Sequence, residues 1–319
     1  LACLVATLIG YMMGRVKGTA GIFFVLKYFE YYIVYFMAVN YLKEKKQMER
    51  LVWTMLIVCL VVCAIAIYQI PSGIRVSAPF EGEGGEPNTL GGYLVLILSI
   101  VLGLLFSNYG TKKQKIFFGI LIFFILPTLA ATQSRSSWLA LGPMLLALIC
   151  FSKRKLVVII PLIFLVIVTA FLLPSTVKER ALFTVSQKAE EGQLKVGGVR
   201  IDTSTSARLV SWKNVLTRDF IQQPLIGYGV TGYSFIDAQY PRVLAETGLL
   251  GLFFFMALLI AIYRNALQTR RRYADDPFYL GISTGFLAGF FAMLIHAIGA
   301  NTFIIVRIME PFWFMTAIV

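Results

Sequence analysis

The feature that most constrains this chain is a series of apolar runs, each about as long as a helix that crosses a bilayer. The clearest run, residues 244–264, contains one carboxylate near its start and no further charge until Arg264. Hydrophobic residues fill 58% of the 319 positions, whereas soluble domains are about 45–50% apolar. The sequence therefore predicts an all-α polytopic membrane protein.

Ten windows have this character, so we expect about ten or more transmembrane helices. The windows are residues 1–14, 20–42, 51–70, 89–107, 115–132, 136–151, 155–173, 244–264, 279–298 and 302–319. The sequence begins at Leu1 without a methionine, and we expect the first window to belong to a span that starts upstream.

The basic residues indicate the orientation of these helices. Four loops between alternate windows hold about half of the 29 basic residues, at positions 43–50, 112–115, 153–155 and 264–272. Lys and Arg concentrate in short cytoplasmic loops of membrane proteins, so these four loops are predicted to face the cytoplasm. The net charge of +13 is thereby explained by topology, and the expected partner is the lipid bilayer, not nucleic acid.

The opposite, extracytoplasmic face carries one large loop, residues 174–243. It separates N-terminal helices within 1–173 from C-terminal helices within 244–319, in a single integrated membrane domain. A long loop among short ones is usually functional. Inside it, an amphipathic helix is predicted to start with Ser206 as its cap and to end before Pro224. The apolar stripe of that helix, expected to lie along the membrane surface, consists of Leu209, Trp212, Leu216 and Phe220.

The residue types limit the possible chemistry. His296 is the only histidine and is expected to be a hydrogen-bonded residue at a helix end, which excludes a Ser-His-Asp triad or a His-rich metal site. Cys59 and Cys63 lie one helical turn apart, but no further ligand completes a metal set. No P-loop or dinucleotide-binding glycine cluster occurs. We therefore expect no metal and no cofactor.

Two arginines on the extracytoplasmic face suggest anion binding. Arg135 lies in a tight turn between two windows, where an unpaired charge costs about 3 kcal/mol. Arg208 lies near the N-terminus of the amphipathic helix, and such helix ends favour anions. Guanidinium groups match phosphate oxygens in a two-pronged geometry. Each arginine alone is also explained as a solvated or snorkelling residue, so both interpretations stay open.

Two charged pairs lie inside apolar windows: Lys27 with Glu30, and Arg307 with Glu310. Each pair is spaced three residues apart, so its members can meet on one helix face. Charges at membrane depth usually face a bundle interior or an aqueous cavity. They are interpreted as structural pairs, or as parts of a transport path or a substrate contact.

Several segments together resemble the bacterial O-antigen ligase and O-antigen (Wzy-type) polymerase superfamily in order and spacing. These are FEGEGGEPNTLGGYL (80–94), ATQSRSSWLAL (131–141), ARLVSWKNVLTRDFIQQPLIGYGVTGY (207–233) and DAQYPRVLAETGLLGLFFFMALL (237–259). The resemblance implies a GT-C-like, metal-independent membrane glycosyltransferase. It would act on the periplasmic side of the bacterial plasma (inner) membrane, on a glycan carried by undecaprenyl pyrophosphate.

The resemblance also implies roles for individual residues. Arg135 matches the arginine of the family's Ser-Arg turn and Arg208 its large-loop arginine, and both would bind the donor pyrophosphate. Asp237 stands where ligases have a catalytic histidine, and it would be the general base. Arg242 would hold the acceptor glycan or pair with Asp237. Glu246 is either a second candidate base or a carboxylate that stabilises a helix N-terminus.

Five aromatic residues of this face could stack on sugars or form an interfacial belt: Trp138, Trp212, Tyr228, Tyr233 and Tyr240.

The aspartate at position 237 favours polymerase over ligase within the superfamily. The expected activity is polymerisation of undecaprenyl-pyrophosphate-linked repeat units into O-antigen or exopolysaccharide, with a chain-length regulator as an implied partner. The first alternative is a ligase that transfers the glycan to lipid A-core. The second is a small-anion transporter, suggested by the intramembrane charged pairs.

Overall fold

The computed structural model describes residues 1–79, 85–152, 193–196 and 199–319, together with the isolated positions 155, 159 and 187. The first helices are α1 (Ala2–Met12), α2 (Gly18–Tyr41), α3 (Lys45–Gln69), α4 (Pro87–Phe106), α5 (Lys112–Ala131) and α6 (Arg135–Phe151). Two short strands, β1 (Lys195–Val196) and β2 (Val199–Arg200), then pair antiparallel. They are followed by α7 (Thr203–Asn214), a π-helical stretch (Val215–Asp219) and a last turn (Phe220–Gln222). The chain continues with α8 (Gln239–Arg272), α9 (Pro277–His296) and α10 (Val306–Ile318).

Six of the described helices are long and apolar enough to cross a membrane: α2, α3, α4, α5, α8 and α9. Helices α1 and α6 are apolar but shorter. Nine of the ten predicted windows fall on helices, while the window 155–173 lies almost wholly outside the described residues. The prediction of an all-α membrane fold is confirmed. The total of ten or more spans stays a prediction, as do the large loop and the domain boundary at residue 173.

Contacts divide the chain into two compact units. The first comprises the described residues within Leu1–Glu30, Lys178–Ala261 and Ala297–Ile304. The second comprises those within Tyr31–Val177, Ile262–His296 and Ile305–Val319.

The core of the second unit is the antiparallel pair α4 and α9. Gly285 on α9 lies so close to α4 that a Cβ there would stand 2.6 Å from the Ser99 carbonyl oxygen and 2.8 Å from Ile100 Cα. Gly281 and Gly289 repeat the small residue one turn away on either side, and both also face α4 closely. Small residues at such spacing let two helix backbones approach, which is a common packing mode in membranes.

The first unit contains a helix break that shapes its loops. Helix α8 is interrupted at Gly248, whose φ of 64° and ψ of −166° are not helical. The interruption frees backbone groups, and in an apolar surrounding each of these needs a partner. The loop 224–232 supplies them through its own backbone. The four bonds are Leu249 N to Pro224 O (2.8 Å), Leu250 N to Leu225 O (3.2 Å), Tyr228 N to Ala245 O (2.9 Å) and Gly229 N to Glu246 O (2.9 Å).

The amphipathic helix differs from its prediction in two respects. It starts at Thr203 because Asp202, not Ser206, caps it: Asp202 Oδ1 accepts hydrogen bonds from the amides of Ser204 and Thr205, at 3.1 and 3.2 Å. The predicted apolar stripe is also divided. Trp212 and Phe220 pack on a buried cluster that includes Val215, whereas Leu209 and Leu216 are exposed. The π-helical stretch at Val215–Asp219 changes the helical period, so a stripe drawn at 3.6 residues per turn does not continue through it.

We expect Gly285→Ala to destabilise the second unit by about 1–3 kcal/mol, because the added methyl group meets backbone atoms that cannot move aside easily. The measurement is the apparent melting temperature of the purified protein in detergent. The matched control is Gly142→Ala on α6, where a Cβ would meet nothing within 4 Å. Equal melting temperatures for the two variants would contradict this account of the α4–α9 contact.

Candidate functional site

An arginine–carboxylate pair forms the centre of the candidate site in the first unit. Arg208 projects from the second turn of α7, and its Nη2 lies 2.6 Å from Oδ2 of Asp237, in the loop before α8. The side chains are 25% and 39% exposed, so the pair is partly accessible to solvent and to ligands. Two residues 29 positions apart in the sequence are thereby brought together.

One donor of the Arg208 fork is left over. The Nε atom of Arg208 is buried and makes no hydrogen bond to any described residue. A guanidinium offers five N–H donors in a fixed plane, and bidentate binding of carboxylate or phosphate uses two of them at once. The buried Nε is out of a ligand's reach in this conformation, so Arg208 would hold Asp237 through Nη2 and receive an oxyanion through the other N–H donors of its partly exposed guanidinium.

Asp237 is positioned by residues that the sequence interpretation missed. Asn301 donates through Nδ2 to the Ile236 carbonyl oxygen at 2.7 Å. Gln239 donates its amide to the Ala297 oxygen at 3.0 Å, and its side-chain Oε1 accepts from the amide of Phe303 at 2.9 Å. These bonds fix the backbone on both sides of Asp237. No pattern in the sequence connects residues 236–239 with 297–303, because the contacts use backbone groups and two amide side chains.

Arg242 and Glu246 form a separate, buried pair. Arg242 Nε lies 3.1 Å from Glu246 Oε1, and both residues are nearly inaccessible. The same Glu246 oxygen accepts the amide of Thr231 at 3.1 Å, and the Arg242 guanidinium lies over the Phe24 ring at 5.4 Å. The expected alternative of an Arg242–Asp237 pair is therefore wrong. Glu246 lies two residues before Gly248, where the helix that starts at Gln239 is interrupted and its second segment begins.

The predicted aromatic residues of the first unit are arranged in two groups. Trp212 and Tyr240 lie with ring centroids 6.4 Å apart. Tyr228 and Tyr233 form the second pair, at 5.4 Å. Tyr233 donates its hydroxyl to Asp219 Oδ2 at 2.5 Å. Burial, and then the hydrogen bond and charge of Asp219, raise the pKa of Tyr233, so this hydroxyl stays protonated and remains a donor at neutral pH.

Arg135 belongs to the second unit and is the first residue of α6. The preceding Ser134 caps the helix by accepting the amide of Ser137, and Gln133 adopts a left-handed φ of 50°. Arg75 holds the turn from outside by donating to the carbonyl oxygens of Thr132 and Gln133, at 3.1 and 3.4 Å. The turn is therefore fixed on both sides of Arg135. Arg135 as a whole residue is half-buried.

His296 ends α9 and is fully buried, with Nε2 3.1 Å from the Ser137 hydroxyl oxygen. The expectation of a hydrogen-bonded histidine at a helix end is confirmed.

The charged pairs inside apolar windows also have defined surroundings. Arg307 donates to the Pro79 carbonyl oxygen at 2.7 Å, and Arg307 and Glu310 both line a largely apolar cavity of about 630 Å³ in the second unit. Lys27 lies over the Phe24 ring at 4.8 Å. Within the described part of the chain, no group of three or more His, Cys, Asp or Glu side chains is arranged to hold a metal ion.

The membrane-length helices, together with a partly accessible Arg–Asp pair just before α8, are those of a multi-pass membrane protein with an ionic site. Residues 118–256 match the family model described as O-antigen ligase (Wzy_C). Over this range, which is less than half of the chain, the protein is thus similar to the O-antigen ligase family, whose members are membrane glycosyltransferase-like enzymes, and the resemblance to the ligase and polymerase superfamily is confirmed there. No curated protein matches the chain. Arg135, Arg208, Asp237, Arg242 and Glu246 all fall inside the matched range.

Glu246→Ala is expected to destabilise the first unit by about 3–5 kcal/mol, because it leaves the Arg242 charge buried without its carboxylate. The double variant Arg242→Met/Glu246→Leu removes both charges and should recover most of that loss. Melting temperatures in detergent provide the comparison. If the single variant were as stable as the double, the pair would not be a structural element of this unit.

Proposed function

We propose that this protein polymerises lipid-linked oligosaccharide repeat units at the outer face of a bacterial plasma membrane. The donor would be a growing glycan on undecaprenyl pyrophosphate, and the acceptor a second lipid-linked unit. The observation that carries the proposal is the Arg208–Asp237 pair inside the O-antigen ligase family range. In this pair an arginine, a residue type that binds phosphate, lies next to a carboxylate that can act as a base, and both side chains are partly accessible.

The arginines would stabilise the leaving group. As the bond between the anomeric carbon and the pyrophosphate oxygen breaks, its electron pair goes to the undecaprenyl pyrophosphate. Fixed guanidinium groups stabilise such developing charge electrostatically. Arg208, with donors left beyond Asp237, and Arg135, on its rigid turn, are the residues assigned to this role.

Asp237 would be the general base. A hydroxyl of the acceptor sugar attacks the anomeric carbon, and its proton passes to the Asp237 carboxylate as the new glycosidic bond forms. General-base catalysis contributes about 10²–10⁴ in rate. The bridge to Arg208 and the anchors at Asn301 and Gln239 support this assignment, since they hold the carboxylate in one position.

The buried residues Arg242 and Glu246 support the site in a different way from the one first expected. Arg242 is bonded to Glu246, and Glu246 accepts the Thr231 amide. The pair thereby attaches the loop 224–232 to α8. We therefore assign them a structural role and place the acceptor glycan nearer Trp212 and Tyr240, which are half-buried.

Asp237→Ala and Arg208→Ala should each lower the rate of polymer formation about 10²-fold or more at normal protein levels. The first removes the base and the second a fixed positive charge. The measurement is the length distribution of surface polysaccharide on a gel, in the source bacterium deleted for this gene and complemented with each variant. Arg218→Ala, which removes an exposed arginine from the adjoining π-helical stretch, is the matched control and should leave the ladder intact. An unchanged ladder for both site variants would refute the mechanism.

The acceptor distinguishes polymerase from ligase. We expect the purified protein to extend lipid-linked repeat units when they are the only substrate. A ligase would leave these units unchanged and would transfer the glycan only when lipid A-core is added. Transfer that depends on lipid A-core would therefore replace the polymerase assignment, while the roles of Arg208 and Asp237 in donor chemistry would stand.

A further inference from the structure

A buried chain of hydrogen bonds connects the only histidine of the protein with the turn that carries Arg135. Ser137 Oγ lies 3.1 Å from His296 Nε2 and 2.8 Å from Ser134 Oγ, and Ser134 Oγ lies 2.8 Å from Asn88 Oδ1. Ser134, Ser137 and His296 have no exposed surface. The chain thus joins the C-terminal end of α9 to the N-terminal ends of α6 and α4.

The direction of this chain follows from the protons available. Asn88 Oδ1 can only accept, so the Ser134 hydroxyl donates to it. The Ser137 hydroxyl then donates to Ser134 and has no second proton. With the Asn88 amide in this orientation, the Ser137 oxygen is left as an acceptor for the imidazole, which gives His296 a donating proton on Nε2.

The side chains in this chain of hydrogen bonds are closely packed against α4. A Cβ on Gly91 would stand 2.3 Å from Ser137 Oγ, and a Cβ on Gly92 would stand 3.0 Å from His296 Cε1. Because Gly91 and Gly92 of α4 have no side chains, Ser137 and the His296 imidazole can occupy the adjacent space. The hydroxyls of Ser134 and Ser137 lie on either side of Arg135 in the sequence and hold the first turn of α6 from within, while Arg75 holds the preceding carbonyl groups.

We propose that His296 is a positioning residue: by donating from Nε2 to Ser137 it sets the Ser134–Ser137 turn, and thereby the direction in which Arg135 meets the pyrophosphate of the donor. This proposal rests on the proposed function, because it assumes that Arg135 contacts that pyrophosphate. His296 itself touches no reacting atom. Misplacing a charged group by about 1 Å can cost up to 10²-fold in rate, so loss of the histidine donor is expected to be measurable.

The first experiment tests the direction of the hydrogen bond. Because the chain has one histidine, labelling with ¹⁵N-histidine gives a single pair of ring-nitrogen signals in the detergent-solubilised protein. We expect a proton on Nε2, with a signal that shifts in Ser137→Ala. A neutral ring with its proton on Nδ1 only would overturn the proposal.

The second experiment tests the route through Arg135. His296→Leu and Ser137→Ala should each lower kcat/KM for extension of purified lipid-linked repeat units about tenfold or more, and His296→Gln, which keeps a side-chain donor, should restore part of it. In an Arg135→Ala background, His296→Leu should cause no further loss. Met293→Leu, a buried change one turn earlier on α9, is the control and should remain active.

The outcomes separate this inference from the proposed function. Both arginine variants are expected to lower kcat/KM but to leave a residual rate that can be measured. If they do so while His296→Leu is fully active, or if His296→Leu lowers kcat/KM by the same factor with and without Arg135, the positioning role is wrong and the function stands. If the arginine variants are themselves fully active, the proposed function fails first.

Discussion

The structure of the first unit depends on how backbone groups freed by the break at Gly248 are satisfied. In an apolar environment an unpaired amide or carbonyl group is costly, so a helix can be interrupted only where another segment replaces the missing partners. The loop 224–232 is that segment. A Cβ on Gly248 would stand 2.4 Å from the Leu225 oxygen, and a Cβ on Gly227 would stand 2.6 Å from the Ala245 oxygen. The absence of a side chain at Gly248 and at Gly227 therefore lets the loop and α8 approach each other closely. The buried Arg242–Glu246 pair holds them together through the Thr231 amide.

The second unit solves a comparable problem with side chains. The turn before α6 contains a left-handed glutamine and an arginine next to buried serines, an arrangement that the backbone alone would not favour. Hydroxyl, imidazole and amide groups from three helix ends hold it in place. In each unit, one residue assigned to chemistry lies on or next to irregular backbone that is fixed by several partners: Asp237 in the loop before α8, and Arg135 at the first position of α6.

Much of the architecture was predictable from the sequence, because apolar runs of membrane length leave few alternatives to helices. Arg208 and Asp237 were singled out by resemblance to a known superfamily; the structure brings the two side chains together, and their catalytic roles stay a prediction. The cap at Asp202 was missed because Ser206 is an equally good capping residue by type; in the structure the Ser206 hydroxyl is bonded instead to the Leu194 amide and the Ile201 carbonyl oxygen. The break at Gly248 was missed because glycine is common inside membrane helices, so its presence alone does not indicate an interruption. Arg242 and Glu246 have the i,i+4 spacing of an ion pair on one helix face. Asp237 lies only five residues before Arg242, so the sequence offered this arginine two carboxylates.

The anchors of Asp237 have a consequence for dividing this protein into parts. The family range ends at residue 256, and it contains every side chain assigned to donor chemistry. Yet the backbone on either side of Asp237 is held by Ala297, Asn301 and Phe303, which lie beyond that range. The loop that Glu246 holds is likewise bonded to α1, where Thr7 Oγ1 accepts the amide of Val230 at 3.2 Å. A fragment cut at residues 118 and 256 would keep all the side chains assigned to donor chemistry but lose the residues that hold Asp237 and the loop 224–232 in position. The smallest functional part of this chain is therefore larger than the range that the family model matches.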